Sequence, residues 1–268
     1  MKAVIGQEKL VKILENYNLQ NTPKTMLFLG QDGCGKSWIA ARFAEQLGID
    51  KVEVDAQATP EKLAEYFQCP IQKLYTINLV GMTEQQQNKF LKFIEEPSSN
   101  MYIILRAESE VGILNTILNR CIKYTFEPYT VEQLKQFDWA MSCSDDVAYS
   151  ICKTPGQLLE LTDDNLPKIL DYCNNLILSP KIQTAPYANV VAISTLINCK
   201  DDIKKFNFDL FFDLLIYAAY TKYKKENDEL SFKVYQYTVR QKAKSLNKNI
   251  SKESFLLSFC DGLWRLSH

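Results

Sequence analysis

Between Met26 and Phe126 the chain alternates short apolar runs with stretches whose apolar residues recur at helical spacing. Runs at 26–29, 51–54, 74–77, 102–105 and 122–126 predict five strands. The helical stretches between them predict βα units wrapped around a parallel sheet. Residues 36–47 predict a helix closed by Gly48, and Thr59-Pro60-Glu61 places a cap and an N1 proline ahead of Leu63 and Phe67. Thr83 with Gln86 forms a capping box, from which one helix is expected to run through Phe90, Leu91 and Ile94 until Pro97 stops it.

After Pro128 the strand-like runs disappear. Thr130 with Gln133 makes a second capping box, and residues 131–162 read as a small helical unit. The remainder, including 208–223, 230–246 and 252–266, reads as all-helical. The expected layout is therefore an α/β domain over 1–128, a small helical unit over 129–165 and an all-helical domain over 166–268.

Composition narrows the chemistry. With 46% hydrophobic and 24% charged residues in 268, the chain falls in the ordinary globular class and is long enough for more than one core. A formal net charge of −1 supplies no global basic field for a nucleic acid. The tail is locally basic at Lys222, Lys224, Lys225, Arg240, Lys242, Lys244 and Lys248, with Tyr220, Tyr223, Tyr235 and Tyr237 nearby; solvated helix faces over a helical core account for this pattern better than a DNA-binding surface. The stretch from Phe206 to Tyr220 is interrupted by Asn207, Asp209 and Asp213, and Met1–Glu8 has no apolar leader, so no membrane association and a cytoplasmic location are expected. The eight cysteines are scattered without a C-x-x-C pair, and the sole histidine is His268. That argues against paired-ligand zinc sites and against Ser-His or Cys-His nucleophilic machinery.

The strongest local motif is Gly30-Gln31-Asp32-Gly33-Cys34-Gly35-Lys36-Ser37, which matches G-x-x-x-x-G-K-[ST] at Gly30, Gly35, Lys36 and Ser37. It follows a predicted strand and opens a predicted helix, the context in which such a loop cradles phosphates. Gly30, Gly33 and Gly35 let backbone amides turn inward around phosphate oxygens, and the helix adds its positive end. Lys36 reaches the β- and γ-phosphates, and the Ser37 hydroxyl is placed to ligate Mg²⁺. ATP or ADP is the expected ligand. Cys34 within the loop reads as a bland position, because the loop works there through its backbone.

Three further segments carry a resemblance. Ile5-Gly6-Gln7, the run Met82-Thr83-Glu84-Gln85-Gln86-Gln87-Asn88-Lys89-Phe90-Leu91-Lys92-Phe93-Ile94-Glu95-Glu96-Pro97, and Leu114-Asn115-Thr116-Ile117-Leu118-Asn119-Arg120-Cys121 resemble, in order and spacing, segments of the bacterial clamp-loader ATPases of the AAA+ class. The likeness extends from about Val4 to Leu161. It implies an AAA+ α/β domain, a helical lid over 129–165, and a helical collar over 166–268 that oligomerises with other clamp-loader subunits.

Departures from the family pattern are equally informative. The resemblance places the carboxylates that hold and activate the metal-bound water on Ile77, Asn78, Leu79 and Val80, none of them acidic. The polar γ-phosphate sensor position holds Arg106-Ala107-Glu108, and Gly156 of Lys153-Thr154-Pro155-Gly156-Gln157 stands where motor subunits carry a second sensor arginine. Glu84, Glu95 and Glu96 read as helix residues rather than catalytic acids. Arg120 matches the arginine that family members project onto a neighbour's nucleotide; out of context it reads better as a surface arginine in a helix-to-strand turn. The family's four-cysteine zinc module is missing, since Cys69 alone lies between Ser37 and Leu74, and no zinc is expected.

This pattern is similar to the δ′ type of subunit of the DNA polymerase III clamp loader. That type implies a hydrolysis-deficient member of a hetero-oligomer, with γ/τ and δ partners and, through them, the sliding clamp and primed DNA. Two alternatives stand beside it. One is an active γ/τ-like ATPase with an unrecognised carboxylate, and the other is a P-loop kinase of another class.

Overall fold

The computed structural model describes residues 4–137, 146–161, 166–178, 208–245 and 252–266. These residues divide into two compact units. One runs up to Phe137 and includes Thr154–Gly156, and the other comprises the remaining residues.

The first unit is built on a five-stranded parallel sheet: β1 (Thr25–Leu29), β2 (Asp50–Val54), β3 (Lys73–Asn78), β4 (Met101–Ala107) and β5 (Ile122–Thr125), in the order β2-β3-β4-β1-β5. All five expected strands are present, each within two residues of its predicted ends. For β1, β3 and β4 the legibility follows from burial on both faces, which turns a parallel strand into a near-continuous apolar run, while the edge strands β2 and β5 are largely exposed.

The pleat sorts the side chains into two cores. Met26 and Phe28 of β1, Leu74 of β3, and Tyr102 and Ile104 of β4 pack with Ile39, Ala40 and Phe43 of α2 (Lys36–Leu47) and with Leu10 and Leu14 of α1 (Glu8–Glu15). Leu27, Leu29, Tyr75, Ile77, Ile103 and Leu105 face the other way. They meet Leu63 of α3 (Pro60–Phe67), Phe93 and Ile94 of α5 (Leu91–Glu95) and Ile117 of α6 (Asn115–Leu118). Fully burying one such side chain stabilises by about 1.5–3 kcal/mol, so these two layers supply most of the driving force for this unit.

Caps are formed where the sequence places them. Thr59 accepts from the Lys62 amide, and both capping boxes close: Thr83 with Gln86 at α4 (Glu84–Lys89), and Thr130 with Gln133 at α7 (Val131–Leu134). The single helix expected from Thr83 to Pro97 is instead two, α4 and α5, joined at Phe90. The Phe90 amide bonds Gln87 O three residues back at 3.0 Å, tightening the turn there. Two side chains hold that break: Phe90 is fully buried against the sheet, and Gln87 is drawn into bonds with the 112–114 segment.

The second unit is helical among its described residues: α8 (Asp146–Ile151), α9 (Pro155–Glu160), whose first two residues belong to the first unit, α10 (Leu166–Leu178), α11 (Phe208–Glu226), α12 (Glu229–Ser245) and α13 (Lys252–Leu266). Phe212 meets Phe211, Phe255 and Phe259 with ring centroids 5.2–5.9 Å apart, and Tyr237 stacks on Phe259. Tyr220 pairs with Tyr235, and Tyr223 with Phe232, so these tail aromatics join α11 to α12. Several of the tail's cations are engaged within the unit: Lys222 with Glu226, and Lys242 with Asp213. Lys248 and His268 lie outside the described residues. No helix among the described residues is long and apolar enough to cross a membrane.

Candidate functional site

The candidate site lies at the carboxyl edge of the sheet, where β1 sits between β4 and β5 and the chain turns into the phosphate loop. Ligands of open α/β sheets bind at such an edge. Gly30 donates its amide to Ala107 O at 3.1 Å, tying the start of the loop to the end of β4. Gly33 and Gly35 have φ of 76° and 95°, a backbone conformation that side-chain-bearing residues adopt at a cost, and this curls the loop toward α2. Gly35 caps α2 without a side-chain acceptor, so the first amides of the helix are left for an external anion.

Lys36 is nearly buried, at 9% exposure. Its ammonium donates to Gly30 O at 2.6 Å and Gln31 O at 2.7 Å, and lies 3.8 Å from Cys34 Sγ. Binding a phosphate through Lys36 requires exchanging these carbonyls for phosphate oxygens. Burial pushes the Cys34 thiol pKa upward, against the opposing pull of Lys36, which keeps it a protonated packing group. Tyr129 braces the loop from outside by donating its hydroxyl to Cys34 O at 3.0 Å.

Gly156 closes the loop from the other side. Its amide donates to Gly33 O at 2.9 Å, and a Cβ at Gly156 would lie 2.4 Å from Gly33 Cα. No side chain, and so no second sensor arginine, fits there without displacing backbone.

The metal side of the loop is where the structure amends the sequence reading. Within the stretch Ile77–Val80, Ile77 points into the apolar core with Leu79. The pleat brings the next residue, Asn78, to the α2 face, in register with Arg106 of β4. A one-residue shift moves a strand position to the opposite face, so Asn78 is the residue of β3 that faces the loop. Its Oδ1 accepts from the Val80 amide at 3.2 Å.

Arg106 occupies the space between. One arm of its guanidinium donates to the Ser37 hydroxyl and the other to Glu53 of β2. Glu53 is held in turn by the Thr76 hydroxyl at 2.6 Å, while Arg106 Nε is buried without a hydrogen-bond partner. Mg²⁺ demands a near-octahedral shell of oxygens. Here the Ser37 hydroxyl is bonded by a cation, Asn78 offers no charge, and among the described residues no three acidic, thiol or imidazole groups gather into a metal site. These residues do not fit the metal. The open loop amides and the cations Lys36 and Arg106 are groups suited to an anion.

Arg120 sits away from this cluster, just past α6. Its guanidinium donates to Thr116 O at 2.9 Å and pairs with Glu95, the last residue of α5, at 3.1 Å. The side chain is 41% exposed, so it is oriented yet reachable from outside. Thus Gly30, Gly33, Gly35, Lys36 and Ser37 form one cluster and Arg120 stands apart. Glu53, Thr76 and Tyr129 were missed by sequence reasoning. For Thr76 the available signal was a polar residue inside an apolar run, whereas Glu53 lies in a strand with three charged residues in five and carried no such signal.

A family described as "DNA polymerase III, delta subunit" matches residues 68–130, the span that contains Asn78, Glu95, Arg106 and Arg120. The DNA polymerase III subunit tau of Salmonella typhimurium is 26% identical over 167 residues, covering 49% of this chain and 26% of that protein. The replication factor C small subunit of Haloarcula marismortui is 24% identical over 183 residues, covering 62% and 53%. The DNA polymerase III subunit delta′ of Bacillus subtilis is 34% identical over 83 residues, covering 31% and 25%. The chain thus spans between about a quarter and a half of the length of these relatives. It is similar to DNA polymerase III subunits of the clamp-loader AAA+ type, and tau and delta′ relatives match at comparable strength.

Proposed function

We propose that this chain is a δ′-like subunit of a clamp loader: it retains a nucleotide pocket, does not hydrolyse at it, and lends Arg120 to a neighbouring subunit's nucleotide. One observation carries the reading. A complete phosphate loop is accompanied by Asn78 at the end of β3, in register with Arg106, where hydrolysis needs a carboxylate, while an oriented arginine lies exposed elsewhere on the same unit. Without an acidic residue to orient the attacking water, bound ATP or ADP persists at Gly30–Ser37. The energy of binding comes from the loop amides, the α2 dipole and Lys36.

In this reading Thr116 and Glu95 hold Arg120 so that little side-chain entropy is lost when it meets a γ-phosphate. An arginine supplied in trans accelerates phosphoryl transfer by about 10³-fold or more. The helical second unit is the collar that assembles with γ/τ- and δ-type subunits, and the assembly acts on the sliding clamp at primed DNA. The similarity to tau, delta′ and replication factor C subunits supports this placement.

The test is reconstitution with the DNA polymerase III subunits of the same genome. The wild-type chain is expected to co-purify with them and to raise their DNA-stimulated ATPase. Failure to assemble, or an assembly whose ATPase is indifferent to Arg120→Ala, contradicts the proposal.

A further inference from the structure

We propose that Arg106 replaces the magnesium ion of the phosphate site, so that this chain binds nucleotide without a metal. The inference rests on the retained nucleotide pocket proposed above and assigns the cation that the pocket uses.

Three observations converge on Arg106. First, its guanidinium bonds the Ser37 hydroxyl, the group that in a phosphate loop of this pattern ligates the metal. Second, Glu53 of β2 anchors it, and Glu53 is itself held by the Thr76 hydroxyl of β3. The Arg106 side chain is only 12% exposed, so the charge is fixed rather than mobile. Third, Arg106 Nε is buried with no hydrogen-bond partner. A buried unpaired donor on a charged group is costly, and such groups call for a specific explanation. An incoming phosphate oxygen supplies the missing acceptor.

The electrostatics run the same way. Polyphosphate charge is normally offset by Mg²⁺ bridging the β- and γ-oxygens. Here Lys36 and Arg106 provide two positive charges held by the fold, the second of them shared with Glu53. Arg106 is suited to the second, because a guanidinium fork is permanently charged and pairs with phosphate in two-point geometry. A metal ion entering the same space would meet a cation already bonded to its hydroxyl ligand, with no carboxylate on Asn78 to compensate. The Arg106 replacement also explains inactivity in a way that loss of the β3 carboxylate alone does not. Returning Asp at position 78 would create a partner for Arg106, in register with it, rather than a metal site.

The experiment is a titration of the full chain with a fluorescent ADP analogue and with ATP, in EDTA and in excess Mg²⁺. Affinity in the two conditions is expected to agree within about twofold. In EDTA, Arg106→Gln is expected to weaken binding by about tenfold or more, since a hydrogen bond to a charged group is lost. Arg106→Lys, which keeps the charge, is expected to recover part of that loss, and melting curves confirm that both variants fold.

Affinity that rises tenfold or more with Mg²⁺ overturns the replacement while leaving the nucleotide pocket standing. Tighter binding by Arg106→Gln also overturns it, because Arg106 would then be a plug. No binding by wild type at millimolar nucleotide in either condition removes the pocket itself, and the replacement with it.

Discussion

The Gly156 amide donates to Gly33 O at 2.9 Å, so the phosphate loop is fastened to the Thr154–Gly156 segment of its own unit. The contact is backbone on backbone. A Cβ on Gly33 would meet Thr154 Oγ1 at 2.7 Å and Gly156 Cα at 2.8 Å, and Gly33 also holds a positive φ. Gly156→Ala is therefore expected to cost about 1–3 kcal/mol, as overpacking does where neither side can yield. Urea denaturation measures it. Gly156→Arg, which writes in the arginine of the motor subunits, is expected to destabilise further and to restore no ATPase.

Gln87 is buried at 1% exposure and fully bonded: its amide nitrogen reaches Gly112 O at 2.7 Å and Met82 O at 3.3 Å, and its oxygen accepts from the Leu114 amide at 3.0 Å. These bonds fix the segment that leads into α6 and Arg120. Gln87→Leu leaves a buried amide and carbonyls without partners, each costing about 1–3 kcal/mol. A loss of at least about 2 kcal/mol in the urea midpoint analysis is expected. An unchanged midpoint would show that water replaces the side chain.

How far the sequence carried the fold can be read from these same residues. The inner strands β1, β3 and β4 were legible because apolar runs buried on both faces leave a continuous signature. Thr59, Thr83 and Thr130 announced their helices through capping chemistry that is local in sequence. The break at Phe90 was not legible, since it depends on Gln87 reaching a segment 25 residues ahead. The site was half legible. Gly30–Ser37 is contiguous, but the Glu53–Arg106–Ser37 cluster is assembled from β2, β4 and α2 and exists only once the strand order is known. Which of Ile77 and Asn78 turns away from the core was not legible for the same reason: alternation reveals faces only when a neighbouring strand supplies the reference.

Alkaline pH provides a separate check on the brace at the loop. Tyr129 donates to Cys34 O, and burial pushes its hydroxyl up to about 12 from an ordinary value of 10. The folded state then keeps a proton that the unfolded state releases, so this stabilisation is fully present below pH 10 and is lost as pH rises toward 12. Tyr129→Phe loses the hydrogen bond at neutral pH, yet its stability is expected to fall less steeply than that of wild type between pH 10 and 12. Parallel declines would assign the alkaline loss to other groups.

Glu95 and Arg120 are paired at 3.1 Å on the exposed edge of the first unit, and that pair decides how Arg120 is presented. Glu95→Gln keeps the volume and removes the charge. Because both side chains are well exposed, its effect on stability is expected to stay below about 1 kcal/mol. In an assembled complex it is expected to reduce partner ATPase partially, whereas Arg120→Ala reduces it by a larger factor.

The most direct measurement is steady-state ATP hydrolysis by the purified chain alone and in the reconstituted complex, each with wild type, Lys36→Ala and Arg120→Ala. The predicted result is no turnover by the chain alone, robust turnover by the complex, and a loss on the order of 10³-fold at the adjoining site with Arg120→Ala. Turnover by the isolated chain that disappears with Lys36→Ala would contradict the account, because hydrolysis would then belong to this chain's own phosphate loop.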